Sequence, residues 1–446
     1  ELNDFIYELA ITANRPDGMS MIGIAREVSA LLQTKLNNLE ISENLPTREF
    51  HPQIEGTNSM NKESIYSITT INNVEGKKIS PKWLKDRLEK SDIKPINLIV
   101  DITNYILLEQ GQPLHAFDKD KLSNLIGKNI SQNDFGIRDG YEGETIHALD
   151  GNIYNLNKNI TVITCSDKPI AIAGVIGGIE TSVTESTSSI FLEAAVFNPS
   201  SIRKSSKEIG LRTESSSRFE KGISMKNTVT SVKRAIKLFN QFFNISEQML
   251  FVSNNIKHDP KLIKLRRDRI HKILGPINIK SNNDKKNLIK RNLNDKEICN
   301  KLELIGCTLI NKNYGWDVEV VPNRSQDLIR EIDLIEEIAR LIGYDLFDEN
   351  IPNPLKPGKL TNLQNSIRKI RQSFIHSGFN EVLTYSLVPN DNKRIMIANP
   401  LLKETSCLRN NLWEEHIKIV NLNINSGRNN CWIFEIGKIF TDKQNN

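Results

Sequence analysis

The spacing of apolar positions changes character at three points along the chain. The stretch Phe5 to Thr12 is rich in strand formers, and the turn residues Asn14-Arg15-Pro16-Asp17-Gly18 follow it. Ile22, Ala25, Val28 and Leu32 then recur at helical spacing, with Ser20 placed to cap the first turn. After Pro46 the pattern shortens. Runs at Ser64–Ile71, Gly136–Arg138, Ile160–Thr164 and Ser189–Phe197 carry β-branched and aromatic residues between Gly, Asn and Asp clusters, which predicts strands. Helices are predicted at Pro81–Ser91 and Met225–Phe243. A second change comes at Asp259-Pro260, where short helices, a hairpin around Asn311–Gly315 and a long helix over Leu328–Ile342 predict a small helix-rich module. The proline-rich Pro352-Asn353-Pro354-Leu355-Lys356-Pro357-Gly358 reads as a stiff linker. Beyond it lie an amphipathic helix bearing Leu363, Ile367, Ile370, Phe374 and Ile375, and strands at Glu381–Leu387 and Cys431–Phe440.

A length of 446 residues is about three ordinary domains, in keeping with these boundaries. Lys and Arg number 59 against 54 Asp and Glu, a net +5 that excludes a polybasic chain and confines any nucleic-acid contact to one region. Lys261, Lys264, Arg266, Arg267, Arg269 and Lys272, then Lys285, Lys286, Lys290 and Arg291, form the basic stretch; it is either a solvated surface or a nucleic-acid face. The five cysteines are scattered and odd in number, which argues against a disulfide framework or a structural zinc and for a reducing compartment. No apolar run approaches the roughly 18 residues of a membrane helix. The chain opens on Glu1 and its last residues trail off after a strand, so a fragment or a processed chain is expected. The abundance of Asn, Ile and Lys fits an AT-rich genome.

Five constellations carry possible chemistry. Pro169 to Gly178 joins an apolar strand to a glycine turn, where Gly174 and Gly177 could let a ligand approach the backbone or could simply serve a tight connection. Glu193 lies inside the apolar run Ile190–Phe197; it either faces water by alternation or lines a pocket as a carboxylate accepting a hydrogen bond from a ligand hydroxyl or amine. His115, downstream of Asn104, is either a structural or a site histidine. Gly210–Lys221, with Thr213 and Ser215–Ser217, gathers more hydroxyls and charges than capping alone requires. Finally, Asp333, Glu336 and Glu337 fall within an arc of about 100° on one helical face, with Asp327 just upstream. Arg330 and Arg340 could neutralise them, or a hard cation such as Mg²⁺ could.

Ile11–Asp17, Val100–Tyr105, Gly111–Asp118, Gly174–Gly178, Gly210–Gly222 and Asp333–Tyr344, taken in this order, resemble the β-subunit family of bacterial-type phenylalanine–tRNA ligases over nearly the whole chain. The resemblance implies a multi-domain α+β protein. Residues 1–45 would be the second half of a split N-terminal domain, 46–252 an α+β editing domain, 258–351 a small winged-helix-like domain, and 358–446 a truncated class II synthetase catalytic-like domain with an antiparallel sheet. Phe434-Glu435-Ile436-Gly437 is similar to that domain's late strand, without arginine-bearing ATP motifs. The resemblance further implies an α partner in an α2β2 assembly that uses ATP to attach phenylalanine to tRNA(Phe), and no role for DNA or membrane. One Mg²⁺ per β subunit, shared with α, would be held by Asp327, Asp333, Glu336 and Glu337.

In the editing domain of that family, tyrosine wrongly esterified to the tRNA is hydrolysed. Carried over, Glu193 would meet the tyrosine hydroxyl, Gly174 and Gly177 would admit substrate and offer backbone donors, and Thr213, His115 and Asn104 would orient water or the terminal ribose. Ser215 stands where some relatives carry alanine. No residue is an obvious strong base, so water would be activated by positioning. A structural subunit with a decayed site, or a free-standing deacylase or RNA-binding protein, are the other readings. The family usually carries a tRNA-binding barrel near the amino end and an anticodon-binding domain at the carboxyl end, and neither is expected within these 446 residues. A plastid stroma fits the composition, and so does a bacterial cytoplasm.

Overall fold

The computed structural model describes residues 5–441, apart from 38–39, 42–44, 56–64, 246–247, 254–261, 281–287, 350, 352–357 and 392. Asp259-Pro260, Lys261, Lys285, Lys286 and all of the proline linker except Gly358 therefore lie outside the described residues. The chain forms two compact units, residues 1–349 and 350–446.

In the first unit the opening segment contains α1 (Met21–Leu32), capped as expected by Ser20, whose Oγ accepts from Gly23 N at 3.1 Å. Residues 5–12, predicted as a strand, run without regular structure and largely exposed: among the described residues no strand pairs with them. Twelve short strands follow: β1 (Thr47–Glu49), β2 (Gln53–Ile54), β3 (Ile65–Asn72), β4 (Leu114–Asp118), β5 (Phe135–Asp139), β6 (Thr145–His147), β7 (Ile153–Asn155), β8 (Thr161–Cys165), β9 (Lys168–Ile172), β10 (Ile176–Gly177), β11 (Ser189–Val196) and β12 (Leu250–Ser253). They build two five-stranded sheets, ordered β1-β12-β3-β11-β4 and β10-β9-β8-β5-β2, and a β6-β7 hairpin. Helices α2 (Lys82–Glu89), α3 (Leu98–Gln110), α4 (Lys119–Ile126), α5 (Pro199–Ile209), α6 (Glu214–Lys221) and α7 (Met225–Phe242) complete this part.

Strand β11, paired on one side with β3 and on the other with β4, is buried at all eight positions, as a continuous apolar run demands when both faces are covered. On one face Phe191 and its register partner Phe117 meet Phe135 of the second sheet, with ring centroids 5.2 and 5.9 Å apart. Helices α4 and α7 pack against the same strand, and α3 against β4. Alternation puts Phe191 and Glu193 on the same side of β11, so the lone acid of the run points between the sheets.

A separate apolar cluster is built from β13 (Leu262–Arg266), β14 (Ile277–Lys280), β16 (Thr308–Lys312), β17 (Gly315–Glu319), α8 (Arg267–Leu274), α9 (Asp295–Leu304) and α10 (Glu331–Ile342), with β15 (Leu288–Arg291) paired to β14 at its edge. Ala30 of α1 joins this cluster, and α1 contacts both α3 and α9.

In the second unit, α11 (Asn362–His376) and α12 (Trp413–Asn425) accompany strand pairs only two residues long. The longer strands predicted there do not form. Glu435, within the segment singled out by sequence, is instead tied to Arg409 at 2.8 Å and to Thr384 Oγ1 at 2.6 Å.

Candidate functional site

Between the two sheets a cavity of roughly 260 Å³ brings together Asn104, His115, Gly174, Gly177, Glu193 and Thr213. They arrive from α3, β4, the β9–β10 connection, β10, β11 and the N-cap of α6. All six candidates chosen from the sequence border this one space. Apolar walls from Leu107, Leu149, Phe197 and Phe219 also border it; nothing local in the sequence marks them, because their convergence depends on which strands pair.

Glu193 and His115 are directly opposed in the β4–β11 ladder, so their side chains stand side by side on the inner face. Glu193 is 5% exposed, and among the described residues no hydrogen bond or ion pair engages it. Burial pushes its carboxyl up to about 8, because the charged form loses water without gaining a partner. The group is therefore a neutral acid near pH 7, able to donate as well as accept, where the sequence suggested a carboxylate that only accepts. Burial drives His115 the other way, down to about 4, and its Nε2 is buried without a hydrogen-bond partner. Both groups are thus uncharged at neutral pH. The Tyr66 phenol, buried and near Glu193, is pushed well above its ordinary range by burial first and by that carboxyl second.

The two glycines are required by protein packing. Gly174 has φ +66°, and a Cβ there would lie 2.9 Å from Phe219 Cδ2 and 3.1 Å from Ile202 Cδ1. A Cβ on Gly177 would lie 2.7 Å from His115 Nε2. Thus Gly177 lets the imidazole lie against the backbone, a reason other than the ligand approach argued from sequence. The Gly174 N–H meets no backbone acceptor among the described residues and remains able to donate.

The Thr213 hydroxyl has its proton committed. It donates to Val175 O at 2.9 Å and accepts from Ser216 N at 3.1 Å. This residue ties the glycine turn to α6 and sets the shape of the pocket, leaving no proton to offer water. Asn104 borders the cavity, and so does Ser215.

The carboxylates proposed for Mg²⁺ do not converge. Arg324, 4% exposed, binds Asp327 at 2.7 Å and Glu337 at 3.0 Å, and Arg340 binds Glu337 at 2.6 Å. Asp333 caps α10, accepting from Arg330 N at 2.7 Å and pairing with its guanidinium at 2.9 Å, while Glu336 is exposed. Burial alone would raise Glu337, but its bonds to Arg324 and Arg340 hold it at about 2. Asp327 moves up despite touching the same Arg324, through burial and then the nearby Asp17. The arginines that sequence offered as neutralisers do neutralise, with Arg324 as the member that it missed. Arg15, Asp17 and Glu27 extend the network, with Arg15–Glu27 at 2.8 Å and an Arg340–Glu27 contact linking α1 to α10. As arranged, these donors do not fit a magnesium ion, and among the described residues no three acidic, His or Cys side chains gather as ligands.

In the basic stretch, Arg266 and Arg269 pair with Glu331, Arg267 with Asp295, Lys290 with Asp348 and Arg291 with Glu297, so these cations are largely neutralised within the fold. All five cysteines are free thiols, and among the described residues no helix is long and apolar enough to cross a membrane.

Comparison with known proteins finds three domain families in tandem: the B3/4 domain over residues 62–244, the tRNA synthetase B5 domain over 263–344, and the phenylalanyl tRNA synthetase beta chain CLM domain over 351–446. A phenylalanine–tRNA ligase beta subunit of Prochlorococcus marinus subsp. pastoris is 62% identical over 99% of this chain and 54% of its own length. The beta subunit of Synechococcus sp. strain CC9605 is 43% identical over 99% of this chain and 53% of its own length. The chain thus spans about half the length of the curated relatives it matches. An N-terminal fragment of the phenylalanyl-tRNA synthetase beta subunit from Pyrococcus horikoshii covers 75% of this chain and 86% of its own at 15% identity, with a TM-score of 0.38, too low to carry an argument. With these domains in succession and such identity along nearly all of its length, the chain belongs to the phenylalanine–tRNA ligase beta-subunit family.

Proposed function

We propose that the cavity between the sheets hydrolyses the ester joining tyrosine to the 3′ end of tRNA(Phe). In this reading the whole protein is a β subunit supporting the ATP-dependent attachment of phenylalanine by an α partner in an α2β2 assembly. The observation that carries the proposal is Glu193: a buried acid without a partner among the described residues, bordering a cavity of roughly 260 Å³ with apolar walls. An uncompensated buried carboxyl costs stability, and a tyrosine hydroxyl supplies what it lacks. A neutral carboxyl exchanges two hydrogen bonds with a phenol. Phenylalanine in the same place leaves the acid unpaired, and sites of this design reject the analogue lacking the hydroxyl by about 10⁴ or more.

For the hydrolytic step, the free Gly174 N–H is a donor for the oxyanion that forms when water attacks the ester carbonyl. Glu193 keeps its proton near pH 7 and His115 is a weak base at about 4, so neither strips a proton from water efficiently. The rate then comes from holding water and ester in line, with Asn104 and the neutral His115 as polar groups on the pocket border. The cyanobacterial source of the relatives supports placing the protein in a bacterial cytoplasm or a plastid, and the Asn, Ile and Lys bias favours the plastid.

Hydrolysis of Tyr-tRNA(Phe) by the chain, with and without α, tests the proposal. Tyrosine release in the presence of α supports it. No release in either case leaves a structural subunit, and equal release without α points to a free-standing deacylase.

A further inference from the structure

Helix α5 is slung from the pocket wall at both ends. Phe197 in the wall leads into it through the cap Asn198, and Gly210 ends it three residues before Thr213. Its inner side is fixed to the core: Ile202 and Ser205 are fully buried, and Ser205 Oγ accepts from Thr161 N at 3.0 Å. The opposite side carries Arg203, Lys204 and Lys207, all exposed, and Arg212 follows with its side chain 67% exposed. Arg203 and Lys207 lie one turn apart, about 6 Å along the axis.

These cations differ from those of β13 to β15, most of which sit in ion pairs. Among the described residues no ion pair engages Arg203, Lys204 or Lys207, and Arg212 has only Glu220 at 3.9 Å. Lys204 acts at longer range on Asp139. Residues 199–221 hold six cations against three carboxylates, a net +3 where the whole chain carries +5. The charge is therefore concentrated beside the pocket.

We propose that the outer face of α5, together with Arg212, holds the sugar–phosphate backbone of the RNA whose 3′ end enters the cavity. Unpaired cations at helical spacing gain affinity by releasing counterions from phosphates, and no aromatic side chain on this face offers a base a stacking surface. This face therefore reads the backbone, with little dependence on base identity. The inference rests on the ester-hydrolysis reading for what enters the pocket, but RNA binding itself is measured separately.

The test uses the 446-residue chain and a fluorescein-labelled, non-acylated RNA hairpin with a single-stranded 3′ tail, followed by anisotropy over a range of salt. Replacing Arg203, Lys204, Lys207 and Arg212 by alanine is expected to weaken Kd at least about tenfold. The slope of log K against log salt should become shallower by about 3, at roughly 0.7–0.9 for each phosphate no longer neutralised. A second variant, Arg203→Lys with Arg212→Lys, keeps the charges and should bind within about twofold of the original, which separates charge from fold. An unchanged Kd and slope in the alanine variant overturns the inference, whatever the pocket does. If α5 governs RNA binding but no ester is cleaved, the hydrolytic reading fails and this one stands.

Discussion

Replacing Glu193 by glutamine should stabilise the protein, and the gain should grow with pH. In the folded chain the carboxyl titrates at about 8 against an ordinary value of 4.5, an upward shift of about 3.5 pH units. An acid whose folded value is raised binds its proton more tightly when folded, so its unfolded form loses the proton first as pH rises. Below about 4.5 both states are protonated and Gln and Glu should be nearly equivalent. Between about 4.5 and 8 the wild type should lose stability relative to the variant by about 1.4 kcal/mol per pH unit, reaching a difference of about 5 kcal/mol above pH 8. His115 runs oppositely: its folded value of about 4, against 6.5, makes stability fall on acidification through that window. Because His115 is present in both proteins, and Tyr66 and Cys165 are unchanged, the difference isolates Glu193. Urea unfolding of both proteins from pH 5 to 9 measures it. Parallel curves, or a variant destabilised equally at every pH, would refute the claim that this acid is buried without a partner.

Three further outcomes are expected from the same geometry. Gly177→Ala should cost about 1–3 kcal/mol in urea unfolding and slow ester hydrolysis, because the new Cβ meets His115 Nε2 at 2.7 Å; a silent substitution would show that the imidazole does not rest on the backbone. Arg324→Met should destabilise by about 3–5 kcal/mol at pH 7, since it strands buried Asp327 and leaves buried Glu337 with Arg340 alone, and the deficit should shrink on acidification toward pH 2 as Glu337 takes up a proton; a pH-independent loss would assign the effect to packing. Added Mg²⁺ should leave the thermal midpoint of the isolated chain unchanged, whereas a saturable rise would mean that the arginines give way to the metal.

Legibility in the sequence depended on how local each cause was. The cap at Ser20, the helix over Met225–Phe242 and the apolar run of β11 are set by neighbours in sequence, and the structure has them within a residue or two. Glu193 stood out as an acid in an apolar run, but its direction waited on the pairing of β11 with β4 and on a second sheet covering that face. The carboxylates of α10 share an arc, as periodicity required. What neutralises Glu337 includes Arg324, from a turn before the helix, and no spacing rule reaches across that bend. Residues 5–12 have strand-forming side chains, but propensity makes no strand without a partner edge. The glycines stood out in the sequence, while the packing that requires them, against the rings of Phe219 and His115, lay in distant segments.

Recognition of a phenolic hydroxyl by Glu193 is tested most directly by the ratio of kcat/KM for tyrosyl and phenylalanyl esters of the same tRNA. The wild type should favour tyrosine strongly, and Glu193→Ala should bring the ratio down toward one with the loss falling mainly on tyrosine. A ratio unchanged by that substitution would contradict this role for the buried acid.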